Sequence, residues 1–247
     1  MKNLLYIVLF FSQIVFAQDA FKEGNQLYAQ KKYAEAVQAY EGIIENGKES
    51  AEVYFNLGNA YYQLKKVGPA IYNYEKALQL NPGDKDILVN LGFAQKLAVD
   101  DIKAMPRTGI SKLMYNWAGN FHYDSWAWVA VVFAFLSVLL FIGYYFTVKS
   151  ASKQGFFCGM IISLLFMVVC IGFAFFVRVE AAGERPAIVF AKSVTLKETP
   201  DDGASDGFTI HEGAKIYVVQ EKGDKVKVQL ADDTAGWLEK SNIKELR

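Results

Sequence analysis

One 34-residue period runs through residues 24–92 and constrains the fold more than any other feature of the chain. Gly24, Gly58 and Gly92 keep it. So do Asn25 and Asn59, Tyr28 and Tyr62, Ala36 and Ala70, Tyr40 and Tyr74, Glu41 and Glu75, and Asn56 and Asn90. A spacing shared by so many residue types marks a stacked helical repeat. Tyr54, Leu57, Tyr61 and Leu64 fall three and four apart, which predicts one apolar helical stripe. Ala70, Tyr74, Ala77 and Leu78 predict a second. Lys66-Val67-Gly68-Pro69 separates the two, with proline tolerated in a helix's first turn. Asn81-Pro82-Gly83 ends the unit. Glycine inside a helix costs about 1 kcal/mol relative to alanine. Its periodic return therefore predicts close approach of the paired helix, which carries the small Ala36 and Ala70. Such arrays present a concave surface to peptides and proteins, so the pattern favours a binder over a catalyst.

The run Tyr54 to Pro82 resembles the tetratricopeptide repeat, on Leu57-Gly58, Tyr61, Ala70, Tyr74, Ala77 and Pro82. The first repeat departs from it, with Glu23 before its glycine and Lys48 at the proline position. The third keeps only its first helix, Leu88-Val89-Asn90-Leu91-Gly92, and reads as a terminal cap. The array is expected over residues 18–100, as two repeats plus the capping helix. The resemblance implies that the first helix of each repeat lines a groove. Asn25 and Asn59 then share one groove position, and Asn56 and Asn90 another. Tyr28 and Tyr62 lie three residues past the first pair, on nearly the same face. An amide both donates and accepts, and tyrosine adds apolar contact, so these six residues form the candidate partner-binding set. Alternatively, the asparagines satisfy helix ends and bonds between repeats.

Hydrophobic residues make up 53% of the chain, which points to lipid. Residues 18–100 and 187–247 each carry nine basic and eleven acidic side chains, so neither offers the basic patch that nucleic acid requires. Lys2, the apolar run Leu4 to Ile14, and Val15-Phe16-Ala17 read as a signal peptide over 1–17. An uncleaved anchor is the other reading and leaves the following domain on the same side.

Two uncharged segments, 126–148 and 155–177, each have 23 residues. At ~1.5 Å per residue each is about 35 Å long, enough to cross a bilayer's hydrocarbon core. The loop 149–154 carries Lys149 and Lys153, which fits a cytoplasmic side. A translocated start and two crossings return the C-terminal part to the starting compartment. The expected location is therefore a bacterial inner membrane, multi-pass, with both soluble parts periplasmic. Gly155, Gly159 and Ser163 form a small-residue stripe that packs either within the hairpin or against another membrane protein. Cys158 and Cys170, both in the second span, read as packing residues. Residues 101–125 join the repeats to the membrane, as a linker or as an interfacial helix through Ile110, Leu113, Met114 and Trp117.

The period changes to two over 187–247. Ile216 and Val218 alternate with Tyr217 and Val219, and Val226 and Val228 with Lys225 and Lys227. Lys222-Gly223-Asp224 predicts a hairpin turn, and Pro200-Asp201-Asp202-Gly203 another turn. Several short strands in so few positions fit a small closed barrel. The stretch resembles the bacterial SH3-like domain, on Ala187 to Ala191, Val194-Thr195-Leu196, Pro200, Gly213, Lys215 to Val219 and Gly236-Trp237-Leu238. That resemblance implies cell-wall or peptide binding, with Trp237 as its candidate ligand residue. Lys225 stands where the family commonly has tryptophan, which weakens the wall-binding expectation.

No catalytic constellation is evident. His122 and His211, the only histidines, lack zinc-ligand spacing to a partner, and no phosphate loop or serine elbow occurs. The expectation is a non-enzyme without cofactor or metal. The fold expected is a multi-domain membrane protein: an all-α repeat array, a two-helix transmembrane hairpin and an all-β SH3-like barrel. This order of parts resembles the BatE family of the Bacteroides aerotolerance (Bat) operon. The resemblance implies a periplasmic scaffold in an aerotolerance or envelope-stress complex. Its implied partners are sister Bat membrane proteins with von Willebrand A domains, and an ATPase of the MoxR type often accompanies such systems. The alternative is an envelope sensor or anchor whose SH3-like domain binds peptidoglycan.

Overall fold

The computed structural model describes residues 20–100, 109–200 and 207–246. The expected signal peptide, the stretch 101–108 and the turn at 201–203 lie outside the described residues. The chain divides into two compact units, one of residues 1–106 with 185–247 and one of residues 107–184.

The first unit begins with five helices: 20–29 (α1), Tyr33–Glu45 (α2), Ala51–Gln63 (α3), Val67–Leu80 (α4) and Lys85–Gln95 (α5). The period is visible in the backbone itself. Lys31 and Lys65 sit at φ +62° and +60°, just beyond the ends of α1 and α3. At both ends the next two amides turn back onto the helix, Lys31 and Lys32 donating to Tyr28 and Leu27, Lys65 and Lys66 to Tyr62 and Tyr61. This is the left-handed cap that satisfies a helix's last carbonyls. Ser50 caps α3 by accepting from the Val53 N–H, and Asp84 caps α5 by accepting from Asp86 and Ile87.

Close helix approach holds at two of the three periodic glycines. A methyl group at Gly24 would lie 2.5 Å from the Tyr40 ring, and one at Gly58 would lie 2.8 Å from Tyr74. The pressing group is thus a tyrosine of the paired helix rather than Ala36 or Ala70. Gly92 would meet nothing within 4 Å, and no further helix of this unit follows α5 among the described residues to pair with it. Ile87, Leu91 and Ala94 of α5 are buried, while Leu88, Val89 and Phe93 are exposed. The terminal helix therefore covers α4 without offering the polar outer face expected of a cap.

The C-terminal part of this unit is antiparallel. Its strands are Pro186–Val189 (β1), Ser193–Thr195 (β2), Thr209–His211 (β3), Lys215–Lys222 (β4), Lys225–Gln229 (β5), Ala235–Glu239 (β6) and Ile243–Glu245 (β7). Five of them form a sheet in the order β6-β5-β4-β1-β7, and β2 pairs with β3 separately. Ile216, Val218, Val226 and Val228 are buried, as the alternation predicts. Lys222 pairs with Lys225, leaving Gly223-Asp224 as a two-residue loop with Gly223 at φ +60°. The strict alternation fails at Val219, where a bulge shifts the register between Val218 and Gln220. The expected closed barrel is not formed among the described residues. The three-residue strands β2 and β3 satisfy each other, and a single bridge of Lys197 with Trp237 ties their ladder to the sheet.

The sequence presents 18–100 and 187–247 as separate parts, yet they share a core. Ile188 and Leu246, 0% and 2% exposed, belong to one apolar cluster with Ile71, Tyr72 and Tyr74 of α4. The Tyr72 and Phe190 rings meet edge to face at 5.7 Å. Polar contacts surround this core. Lys215 Nζ lies 2.7 Å from Glu75 Oε2. The Gly68 N–H donates to Glu212 Oε1 at 2.9 Å. Asp100 accepts from the His211 N–H, and its other oxygen lies 2.9 Å from His211 Nδ1.

The second unit holds Gly109–Ala118 (α6), Tyr123–Phe146 (α7) and Ser150–Gly183 (α8). The last two are long and apolar enough to cross a membrane. Residues 150–154, expected in the loop, are helical, so only 147–149 connect the two helices. Ser163 Oγ donates to the Phe133 carbonyl across the pair at 2.8 Å, and Phe133 stacks on Phe166. Among the glycines of these two helices the tightest surroundings are at Gly143, where a methyl would lie 2.7 Å from the Phe156 ring.

Candidate functional site

The repeated asparagines are joined in a ladder. Asn25 Oδ1 accepts from the Tyr40 hydroxyl at 2.7 Å and from Asn56 Nδ2 at 2.9 Å. One period later, Asn59 Oδ1 accepts from the Tyr74 hydroxyl at 2.8 Å and from Asn90 Nδ2 at 3.0 Å. Each carbonyl thus ties its own repeat's second helix to the next repeat's first helix. Helical spacing makes this possible. Asn56 and Asn59 are three apart, so α3 shows one amide to the preceding repeat and one to the following repeat.

Burial pushes the Tyr40 hydroxyl up to about 12, with the neighbouring Tyr28 adding to the effect. Tyr74 moves in the same direction for the same reason. Both hydroxyls therefore remain protonated donors across the ordinary pH range and hold the two asparagine carbonyls inward.

With both carbonyls engaged, the amide nitrogens of Asn25 and Asn59 have no partner among the described residues. Asn25 is exposed, and Asn56, Asn59 and Asn90 are half-buried. The polar contacts of Glu212, His211 and Lys215 with the repeats fall on α4 and Asp100 rather than on these asparagines. Tyr28 and Tyr62 are half-buried on α1 and α3, Tyr28 edge-on to Tyr33 at 5.2 Å and Tyr62 beneath Lys65 at 5.5 Å. All six expected groove residues thus lie on α1, α3 and α5, and four of them form two equivalent hydrogen-bonded pairs, Asn25 with Asn56 and Asn59 with Asn90. The row offers amide donors flanked by phenol rings, suited to the carbonyls of an extended chain.

Tyr40 and Tyr74 were legible as periodic residues but not as parts of this system. Their signal was the joint period of glycine, asparagine and tyrosine. A second cleft of about 340 Å³ escaped the sequence reading, because Phe190 and Lys244 reach it from far along the chain to meet Glu41, Tyr61, Asn73 and Lys76.

The other expected sites are placed as follows. Trp237 lies in β6 at 7% exposure and lines a cleft of about 270 Å³ with Lys197, Lys225 and Asn242. In the hairpin, Ser163 is buried, a methyl added at Gly159 would lie 3.5 Å from Leu140, an ordinary contact, and one added at Gly155 would meet nothing within 4 Å. Among the described residues no group of three His, Cys, Asp or Glu side chains is arranged to hold a metal.

A family model for the tetratricopeptide repeat matches residues 51–84, the span of α3, α4 and the turn after them. No curated protein matches the chain. Repeats of this kind are interaction modules, which implies protein partners as the class of ligand.

Proposed function

We propose that the chain is a membrane-anchored scaffold that binds a partner protein along the α1–α3–α5 row. The observation that carries this reading is the ladder, which spends the asparagine carbonyls internally and leaves the Asn25 and Asn59 amide nitrogens for a partner. We place the protein in a bacterial inner membrane with both soluble parts in the periplasm. Support comes from the shared core: residues before and after the hairpin that pack together must fold in one compartment. The order of parts further supports a role in a Bat aerotolerance or envelope-stress complex, with von Willebrand A sister proteins as partners.

The test exploits the ladder's polarity. Asn25→Asp with Asn59→Asp keeps an oxygen to accept from Tyr40, Tyr74, Asn56 and Asn90 but removes the outward donors. The double variant is expected to keep its helical signal and to capture at least tenfold less partner from solubilised envelopes, the effect of losing about 1.4 kcal/mol of binding. Undiminished capture by the folded variant would remove the row from the binding site. The cleft beside Trp237 favours a second reading, in which the β part binds peptidoglycan.

A further inference from the structure

We propose that the connecting end of the helical hairpin holds an anionic phospholipid by its phosphate, a site that rests on the membrane reading of α7 and α8. A cavity of about 350 Å³ lies there, lined by Tyr144, Ser150, Lys153, Gln154, Phe157 and Cys158. Its polar groups are a phenol, a hydroxyl, an ammonium and an amide, and it contains no carboxylate. Lys153 Nζ sits 4.8 Å from the centroid of the Tyr144 ring, which holds the cation at the cavity. Neither Lys153 nor Lys149 has a carboxylate partner among the described residues. The acidic side chains of the unit, Asp124, Glu180 and Glu184, all lie toward the opposite ends of α7 and α8. The two lysines therefore form an uncompensated positive end.

The lining is also graded along the helix. Phe157 and Cys158 follow Lys153 by four and five residues, about 6–8 Å farther along α8. A ligand seated here meets cation and hydrogen-bond donors at one end and an aromatic ring and thiol at the other. A lipid phosphate with its acyl chain has that arrangement. Basic residues beside a span attract anionic headgroups, so an anionic lipid is preferred over a zwitterionic one.

The test uses the full chain in detergent, offered equal amounts of phosphatidylglycerol and phosphatidylcholine, with retained lipid counted by native mass spectrometry. Wild-type protein is expected to retain phosphatidylglycerol in about fivefold excess, the factor expected of one surface lysine. Lys153→Gln should bring the ratio to parity, Lys153→Arg should restore it, and Lys222→Gln, in the β4–β5 hairpin of the other unit, should leave it unchanged. Equal retention by wild type, or an excess that survives Lys153→Gln, overturns the proposal. So does displacement of the lipid by inorganic phosphate alone, which would mark a simple anion site. A chain that stays monodisperse once detergent is removed overturns the membrane reading itself. A chain that needs detergent but shows no lipid preference overturns only the lipid site.

Discussion

Gly58→Val is expected to destabilise the repeats by about 1–3 kcal/mol, whereas Gly92→Ala should stabilise them by up to about 1 kcal/mol. Both glycines occupy the same periodic position, and the difference lies in what faces them. The Tyr74 ring stands 2.8 Å from where a side chain at Gly58 would begin. That ring cannot withdraw freely, because its hydroxyl is tied to Asn59 on the same helix as the glycine. Added bulk must displace α4 or break the ladder. At Gly92 an added methyl meets nothing, so only the helix propensity of alanine acts. Chemical denaturation of the two variants in the full chain reads the signs directly. Shifts of equal sign and size would mean that the tyrosines of the second helices do not set the spacing of the repeats.

Ile188→Ala and Leu246→Ala should each cost about 2–5 kcal/mol, as truncations of fully buried aliphatic side chains do. The cost should fall on both parts of the unit. Ile188 lies on β1 and Leu246 just after β7, but their cluster includes Ile71 and Tyr72 of α4. Amide hydrogen exchange is the suitable measurement. Protection should drop in α4 as well as in the sheet. If α4 keeps its wild-type protection while the strands lose theirs, the repeats and the sheet are independent domains.

Local order was legible in the residues, and long-range order was not. The 34-residue period announced α1 to α5, and the alternation of Val226 and Val228 with lysines announced β5. Gly223-Asp224 announced the hairpin because a tight loop needs a residue at positive φ. The bulge at Val219 had no such marker, since valine suits a regular strand equally well. The core shared by Ile188 and Ile71 joins residues more than a hundred positions apart, and no local pattern encodes such a pairing. In the hairpin, the stripe Gly155–Gly159–Ser163 drew attention to small residues on α8. Of the glycines on α7 and α8, the most closely pressed is instead Gly143 on α7, where the bulky Phe156 rather than another small residue fills the space. Along α1, α3 and α5 the asparagines occupy equivalent positions, and their internal bonding was one of two open readings. A period shows that residues are equivalent but not which atoms they spend on each other.

The most direct measurement places a photo-crosslinking amino acid at Tyr62 in the α1–α3–α5 row, at Thr195 in the cleft beside Trp237, and at the exposed Val219 as a control, each in the full chain in living cells. The expected result is a discrete protein adduct from Tyr62, lost on Asn25→Asp with Asn59→Asp, and none from Val219. Adducts to peptidoglycan from Thr195, with no protein adduct from Tyr62, would contradict the scaffold reading and assign the work of this protein to its β sheet.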